Sequence, residues 1–361
     1  MEFGILFELQ TDDPKGGEAR VWREGLEQAV AADRAGFDAV WAVEHHFLVG
    51  YAHCSAPEVF LTAVSQRTER VRLGHGVVVA PAPVNHPFRL AERVAALDIV
   101  SGGRVDVGFG RGFSELEQTG FGLDPETSRE LAAEAVQAIP RMWTEDEFPG
   151  FSGKHLSIPP RRVIPKPVQK PHPPMWWACT SPPSFDLAGQ MGLGCLCFAF
   201  QPPEDLSPRL SAYHDAIDKS QPVGAFKNHK VAGYTVALCL EDDAEAKRVG
   251  GAGYIYNLRK WVEFITPLGK LPSHRWYADI LDNPLVEAME EADPGEAGRW
   301  LAELGYCALG NPDSCVQVVK RFQDLGVDQV LLLMQTAGVP HEKVMESIRL
   351  FGEQVIPACR S

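Results

Sequence analysis

The chain has 361 residues, 45% of them hydrophobic, and a formal net charge of −14. That length suits either two or three ordinary domains or one α/β barrel with insertions. The acidic balance repels phosphate backbones and anionic lipid, which sets nucleic acid and membrane surfaces aside as partners, and no apolar run approaches the roughly 18 residues of a membrane span.

In chain order, the first residues carry no basic stretch and soon turn polar, so they read as a strand and not as a secretion signal. Residues 3–9 are a β-type run. Residues 18–35 are amphipathic, with Val21, Leu26, Ala29, Val30 and Ala32 on the apolar side and Gly36 as the stop. A strand follows at 39–43. Pro57 opens a helix through 68, residues 71–79 are strongly β-branched, Pro87 opens a helix to about 101–103, and 105–109 is the next strand. The rhythm resumes with strand 175–178, helix 184–191, strand 193–198, helix 206–218 and strand 231–240. It closes with helix 315–325, strand 329–333 and helix 344–355. Eight strands alternating with helices predict parallel βαβ units. Right-handed crossovers then give an open doubly wound sheet or a closed barrel, and eight units favour a single-domain (β/α)8 TIM barrel.

Two stretches interrupt this rhythm. Residues 149–174 are proline-rich; because the βα pattern resumes afterwards, they are expected to be an ordered excursion within one domain. Residues 250–305 are mixed and hold Tyr254, Tyr256, Trp261, Phe264, Trp276 and Tyr277, which argues against disorder and for a lid or wall over the barrel mouth. The eight cysteines show no C-x-x-C spacing, as expected of reduced thiols in a cytoplasmic protein.

Active-site groups of a parallel barrel sit at the C-terminal ends of strands. Glu44-His45-His46-Phe47 follows the second strand and can supply a base or hydrogen-bond donors near neutral pH, or else holds partly exposed structural histidines. A metal site would need His75 or His86 to converge on it, with none of the usual spacing. Gly108-Phe109-Gly110-Arg111-Gly112-Phe113 ends the fourth strand. Phe113 stands where a dinucleotide fingerprint needs its third glycine, so the motif suits a phosphate gripped by Arg111, or else a tight turn with a surface arginine. Thr180-Ser181-Pro182-Pro183-Ser184 joins a strand to a helix. It reads as an anion site of hydroxyls and free helix N–H groups, or as a plain cap. Arg129 offers a second cation, or an ordinary solvated helix charge.

At these residues the chain resembles the bacterial-luciferase-like flavin monooxygenases, close to the luciferase α-subunit branch. The resemblance runs through Gly36-Phe37-Asp38-Ala39-Val40-Trp41-Ala42-Val43-Glu44-His45-His46-Phe47, then His86-Pro87 to Ser101-Gly102-Gly103-Arg104 and Gly108 to Gly112. It continues at Pro167-Val168-Gln169-Lys170-Pro171, Ser181 with Ser184, Gly310-Asn311-Pro312 and Leu350-Phe351-Gly352. It implies an enzyme that uses reduced FMN and O2, activated at the flavin C4a position, to oxidise a small apolar or aromatic molecule. His45 matches the histidine beside the flavin, with Glu44 and His46 in support. Arg111, Arg129, Ser181 and Ser184 match the phosphate ligands, with Thr180 in the same turn. Residues 78–80, including Val79 and Ala80, are similar to the strand that often carries a cis peptide against the flavin ring. Gly110 stands at the position of luciferase's reactive cysteine, and Cys54 in a region where other members have a cysteine near the flavin. Phe7, Phe109, Trp177 and Phe198 are the expected pocket wall. The resemblance also implies a homodimer fed by a separate NAD(P)H:flavin reductase. Three other readings stay open: an F420-dependent hydride-transfer enzyme, a non-catalytic flavin-binding protein, and a metal-dependent barrel hydrolase.

Overall fold

The computed structural model describes every residue except 14, 199–202, 285, 287, 289–291 and 361. At its centre are eight parallel strands, β1 (Glu2–Phe7), β2 (Ala39–Ala42), β3 (Arg72–Val79), β4 (Val105–Gly110), β5 (Met175–Cys179), β6 (Gly194–Cys197), β7 (Val231–Cys239) and β8 (Gln329–Leu333). Each pairs with the next, and β8 pairs back onto β1, so the sheet closes. The result is a (β/α)8 TIM barrel, and all eight strands fall on the runs expected from the sequence. Closure explains their composition. A strand covered by helices outside and by side chains inside is apolar on both faces, as are Ile5-Leu6-Phe7 and Leu331-Leu332-Leu333, all buried.

The lower barrel is filled by one large ring. The Trp41 indole from β2 lies across β3, where a Cβ at Gly74 would stand 2.1 Å from it. Trp41 Nε1 donates to Gln329 Oε1 at 3.1 Å, and the ring meets Trp176 edge-on at 5.6 Å. Glycine at 74 is what leaves room for the indole.

The two interruptions are built differently from each other. Within 149–174, Phe151–Ser152 pairs antiparallel with Ser157–Ile158, and Glu134 accepts the N–H groups of Lys154 and Leu156 at 2.7 and 2.8 Å. The 250–305 stretch is not mixed at its start. It continues a 27-residue helix, Asp243–Gly269, whose first turn is capped by Asp242. Gly250, Gly251 and Gly253 lie inside it where neighbours crowd close: a Cβ at Gly250 would be 2.6 Å from Leu309, one at Gly253 2.2 Å from Thr336 Oγ1, and the helix Pro294–Glu303 crosses at Gly251, whose Cα a Cβ at Gly298 would approach to 2.1 Å. Residues 285, 287 and 289–291 of this stretch lie outside the described residues. Among the described residues, no helix is long and apolar enough to cross a membrane.

Substituting Gly74→Ala should push the indole off its seat and lower stability by about 1–3 kcal/mol. The check is a lower urea midpoint at unchanged slope.

Candidate active site

A cleft with about 970 Å³ of empty space, the solvent at its mouth included, opens at the C-terminal ends of the strands. Of the residues singled out from sequence, His45, Glu44, Val79, Gly110, Arg111, Arg129, Thr180, Ser181, Ser184, Trp177 and Phe198 line it. His46, Ala80, Phe7, Phe109 and Cys54 do not. Side chains alternate along a strand: Phe7 points out of the barrel onto Phe60 (5.2 Å between centroids), so that Glu8 faces in. Phe109 is likewise fully buried, while Gly110 lines the cavity. Cys54 is fully buried and its thiol is pushed up by burial; its carbonyl accepts the His45 N–H at 3.0 Å. The Ala80 N–H ties β3 to the Gly110 carbonyl at 2.8 Å. The cis peptide falls at Gly76–Val77, ahead of the 78–80 stretch where it was expected.

Glu44 works as a clamp. Its carboxylate accepts the Val79 N–H at 2.7 Å and the Asn85 amide at 2.9 and 3.1 Å, and meets His46 Nε2 at 3.2 Å. It therefore locks the end of β3 to the end of β2. The His46 ring turns away, edge-on to Phe121 at 4.8 Å.

His45 is held by a residue that sequence reading passed over. Ser114-x-x-Glu117 is a capping box on the short helix Glu115–Gly120. The same Glu117 carboxylate reaches His45 Nδ1 at 2.9 Å and the His46 N–H at 3.1 Å. Burial opposes the His45 charge, but Glu117, with Glu8 and Glu44 behind it, outweighs burial and raises the imidazole pKa. Glu117 responds in the opposite sense: burial would raise it, and His45, the His46 N–H and Ser114 bring it down. With Nδ1 engaged, Nε2 is the nitrogen left for the cavity.

A second carboxyl, Glu8, lines the same cavity and accepts from Asn257 at 3.0 Å. Burial raises it to about 7, against counter-pulls from His45, Tyr51 and Asn257. The remaining wall is aromatic: Tyr51, Phe113, Trp177, Phe198, Tyr234 and Trp261. Trp261 and Tyr277 come from the 250–305 stretch, which thereby forms part of the wall.

On the opposite side, Arg111 and Arg129 lie close together. Burial, against a counter-pull from Tyr277, and the like charge of Arg129 bring Arg111 down to about 10. Neither forms an ion pair with a carboxylate among the described residues; the charge of Glu126 acts on Arg111 only from a distance, so the two partly desolvated cations leave room for an anion. Beside them the helix Pro182–Met191 begins. Its expected free N–H groups are absent: Pro182 and Pro183 carry none, and the Ser184 N–H goes to the Ser181 carbonyl at 2.8 Å. The Ser184 hydroxyl also donates to that carbonyl and accepts from the Thr180 N–H, so it shapes the turn. The Ser181 side chain makes no cap bond and remains available. Two guanidinium groups and a hydroxyl fit a phosphate dianion. Among the described residues no group of three or more His, Cys, Asp or Glu converges as a metal site would require.

Residues 1–329 match the family model for luciferase-like monooxygenases. The chain is 25% identical, over 99% of its own length and 95% of the other's, to the oxygenase component of the flavin-dependent trigonelline monooxygenase of Acinetobacter baylyi. It is similar to the crystal structure of the monooxygenase RslO1 from Streptomyces bottropensis, at 28% identity, 99% coverage of both chains and a TM-score of 0.81. An F420-dependent secondary alcohol dehydrogenase, 20% identical over 100% of this chain and 99% of the other at a TM-score of 0.72, shares the fold. The chain belongs to the luciferase-like monooxygenase family, a class of oxidoreductases built on this barrel.

Two carboxyls set the pH behaviour. Replacing Glu117 by Gln removes the main support of the imidazolium, so the pH at which His45 loses its proton should fall; NMR titration of the ring checks it. Glu8 is raised in the folded protein, so its ionisation counts against the fold, increasingly from about pH 4.5 to about 7 and fully above. Glu8→Gln should therefore gain about 1–3 kcal/mol over the parent at pH 8, with the gap closing below pH 5, in urea titrations at both pH values.

Proposed function

We propose that the chain is the oxygenase component of a two-component system, which binds reduced FMN at the barrel mouth and uses O2 to oxidise a small apolar or aromatic substrate. The observation that carries this reading is the partly buried Arg111–Arg129 pair, lining the same cavity as the Glu117-held His45. In it, Arg111, Arg129 and Ser181 hold the phosphate. Gly110 and Val79 give the flavin ring a close, flat backing, since a Cβ at 110 would crowd Val77 at 2.6 Å. Bound reduced flavin supplies the electrons for oxygen activation. His45 keeps a proton at Nε2 beside the reacting atoms, and the Glu117 carboxylate fixes that ring's orientation. Phe113, Trp177, Phe198, Tyr234 and Trp261 exclude water and receive the apolar body of the substrate. Glu8 meets its polar end, as donor or acceptor, with its pKa near neutrality.

The electrons come from a separate NAD(P)H:flavin reductase. Support for this is the missing third glycine at Phe113 and the description of the trigonelline enzyme as an oxygenase component. All eight cysteines are buried and free, which accords with a reducing cytoplasm.

The test supplies reduced FMN or reduced F420, admits air, and follows oxygen uptake and hydrogen peroxide. Bound reduced FMN should release peroxide more slowly than free reduced FMN. His45→Ala should bind FMN normally yet lose about 10²–10⁴-fold in product formation and leak peroxide. Oxidation of F420 without oxygen uptake, or an unaltered His45→Ala, overturns the assignment.

A further inference from the structure

The turn Pro272–His274 and the helix Arg275–Leu281 set His274 behind the cavity-lining Tyr277, near enough to Arg111 and Arg129 for their charges to act on its ring. His274 is 2% exposed and its Nε2 has no hydrogen-bond partner. Its Nδ1 lies 2.6 Å from the Ser273 hydroxyl, and that hydroxyl donates to Glu126 Oε1 at 3.0 Å. The carboxylate can only accept and the hydroxyl has one proton, so Nδ1 must carry the ring proton and donate to Ser273. Nε2 is then a bare, buried lone pair. Burial and the fields of Arg111 and Arg129 keep the ring neutral, with a pKa down at about 3. The ring stacks on Tyr277 (6.0 Å, 25°), which lines the cavity and reaches Arg111.

A buried nitrogen without a partner is costly, and here it sits near two cations that form no ion pair among the described residues. One group answers all three: a terminal phosphate dianion. We propose that His274 is a direct ligand of that phosphate, and that it selects a phosphate monoester over both an unphosphorylated flavin and a diester. The inference rests on the phosphate reading of Arg111 and Arg129. Arrival of the dianion reverses the local field. The charged and titratable groups around the ring are then Arg111 from the end of β4, Arg129 from its helix, Tyr277, Glu126 through Ser273, and the phosphate itself. Nε2 takes one proton from solvent and donates it to a phosphate oxygen, while Nδ1 keeps its bond to Ser273. A diester carries one negative charge, not two, and has an oxygen already substituted, so it draws the proton less well.

The experiment is calorimetric titration of the whole protein with FMN and with riboflavin at pH 8, in two buffers of different ionisation heat. At that pH free FMN is a dianion, so it brings no proton. FMN binding to the parent protein should take up close to one proton and riboflavin none; absence of uptake with FMN overturns the proposal without any variant. His274→Phe, which keeps the stack on Tyr277, should weaken FMN by about tenfold, abolish the uptake and leave riboflavin affinity unchanged. FMN affinity and proton count equal to the parent's would also overturn it. Arg111→Gln separates the two claims. If it erases the preference for FMN over riboflavin while His274→Phe changes nothing, only the role of His274 falls. If it too leaves the preference intact, the phosphate lies elsewhere and the underlying reading falls.

Discussion

Everything at the barrel mouth is organised around two partly buried guanidinium groups, Arg111 and Arg129, that form no ion pair with a carboxylate among the described residues. Desolvated like charges repel, and a fold keeps them together only when the surrounding backbone holds them in place. Arg111 is held by the glycine-flanked end of β4, and Arg129 by a 17-residue helix, Ser128–Thr144. The proline pair at the start of Pro182–Met191 removes backbone donors from the same corner. Binding there falls to side chains, which makes the site dependent on charge more than on a helix terminus.

The other end of the cavity uses opposite electrostatics. His45 is surrounded by Glu117, Glu8 and Glu44, and the first of these already belongs to the capping box of a short helix. One carboxylate thus stabilises a helix, holds a loop N–H and orients an imidazole. Glu44 does the corresponding work for the backbone, joining two strand ends through Val79 and Asn85. The result is a cationic corner and an acidic corner facing each other across an aromatic wall, an arrangement suited to a cofactor with an anionic tail and a ring that handles protons.

The barrel was legible because strands buried on both faces are unbroken apolar runs of the right length, and Gly36 and Pro87 punctuate the helices between them. Glu44, His45 and Arg111 were legible as cavity-lining residues because strand ends form the mouth of a barrel. Parity was harder. Phe7 and Phe109 were expected to face the pocket, yet an alternation of one residue turns Glu8 and Gly110 inward instead. Glu117 was hidden because a capping box reads as local structure, although Ser114-x-x-Glu117 is visible in the sequence. Tyr277 and His274 meet Arg111 across more than 160 residues of chain, a contact that no periodicity reports.

The backbone contact between Gly251 and Gly298 anchors the long helix and its returning partner to each other at their roots. Residues further along, Trp261 among them, are carried on that stem to the wall of the cavity. The stem meets the acidic corner through Asn257 and the segment beyond it meets Arg111 through Tyr277, so the two together span both ends of the cavity and a substitution along them is felt at whichever end lies nearest.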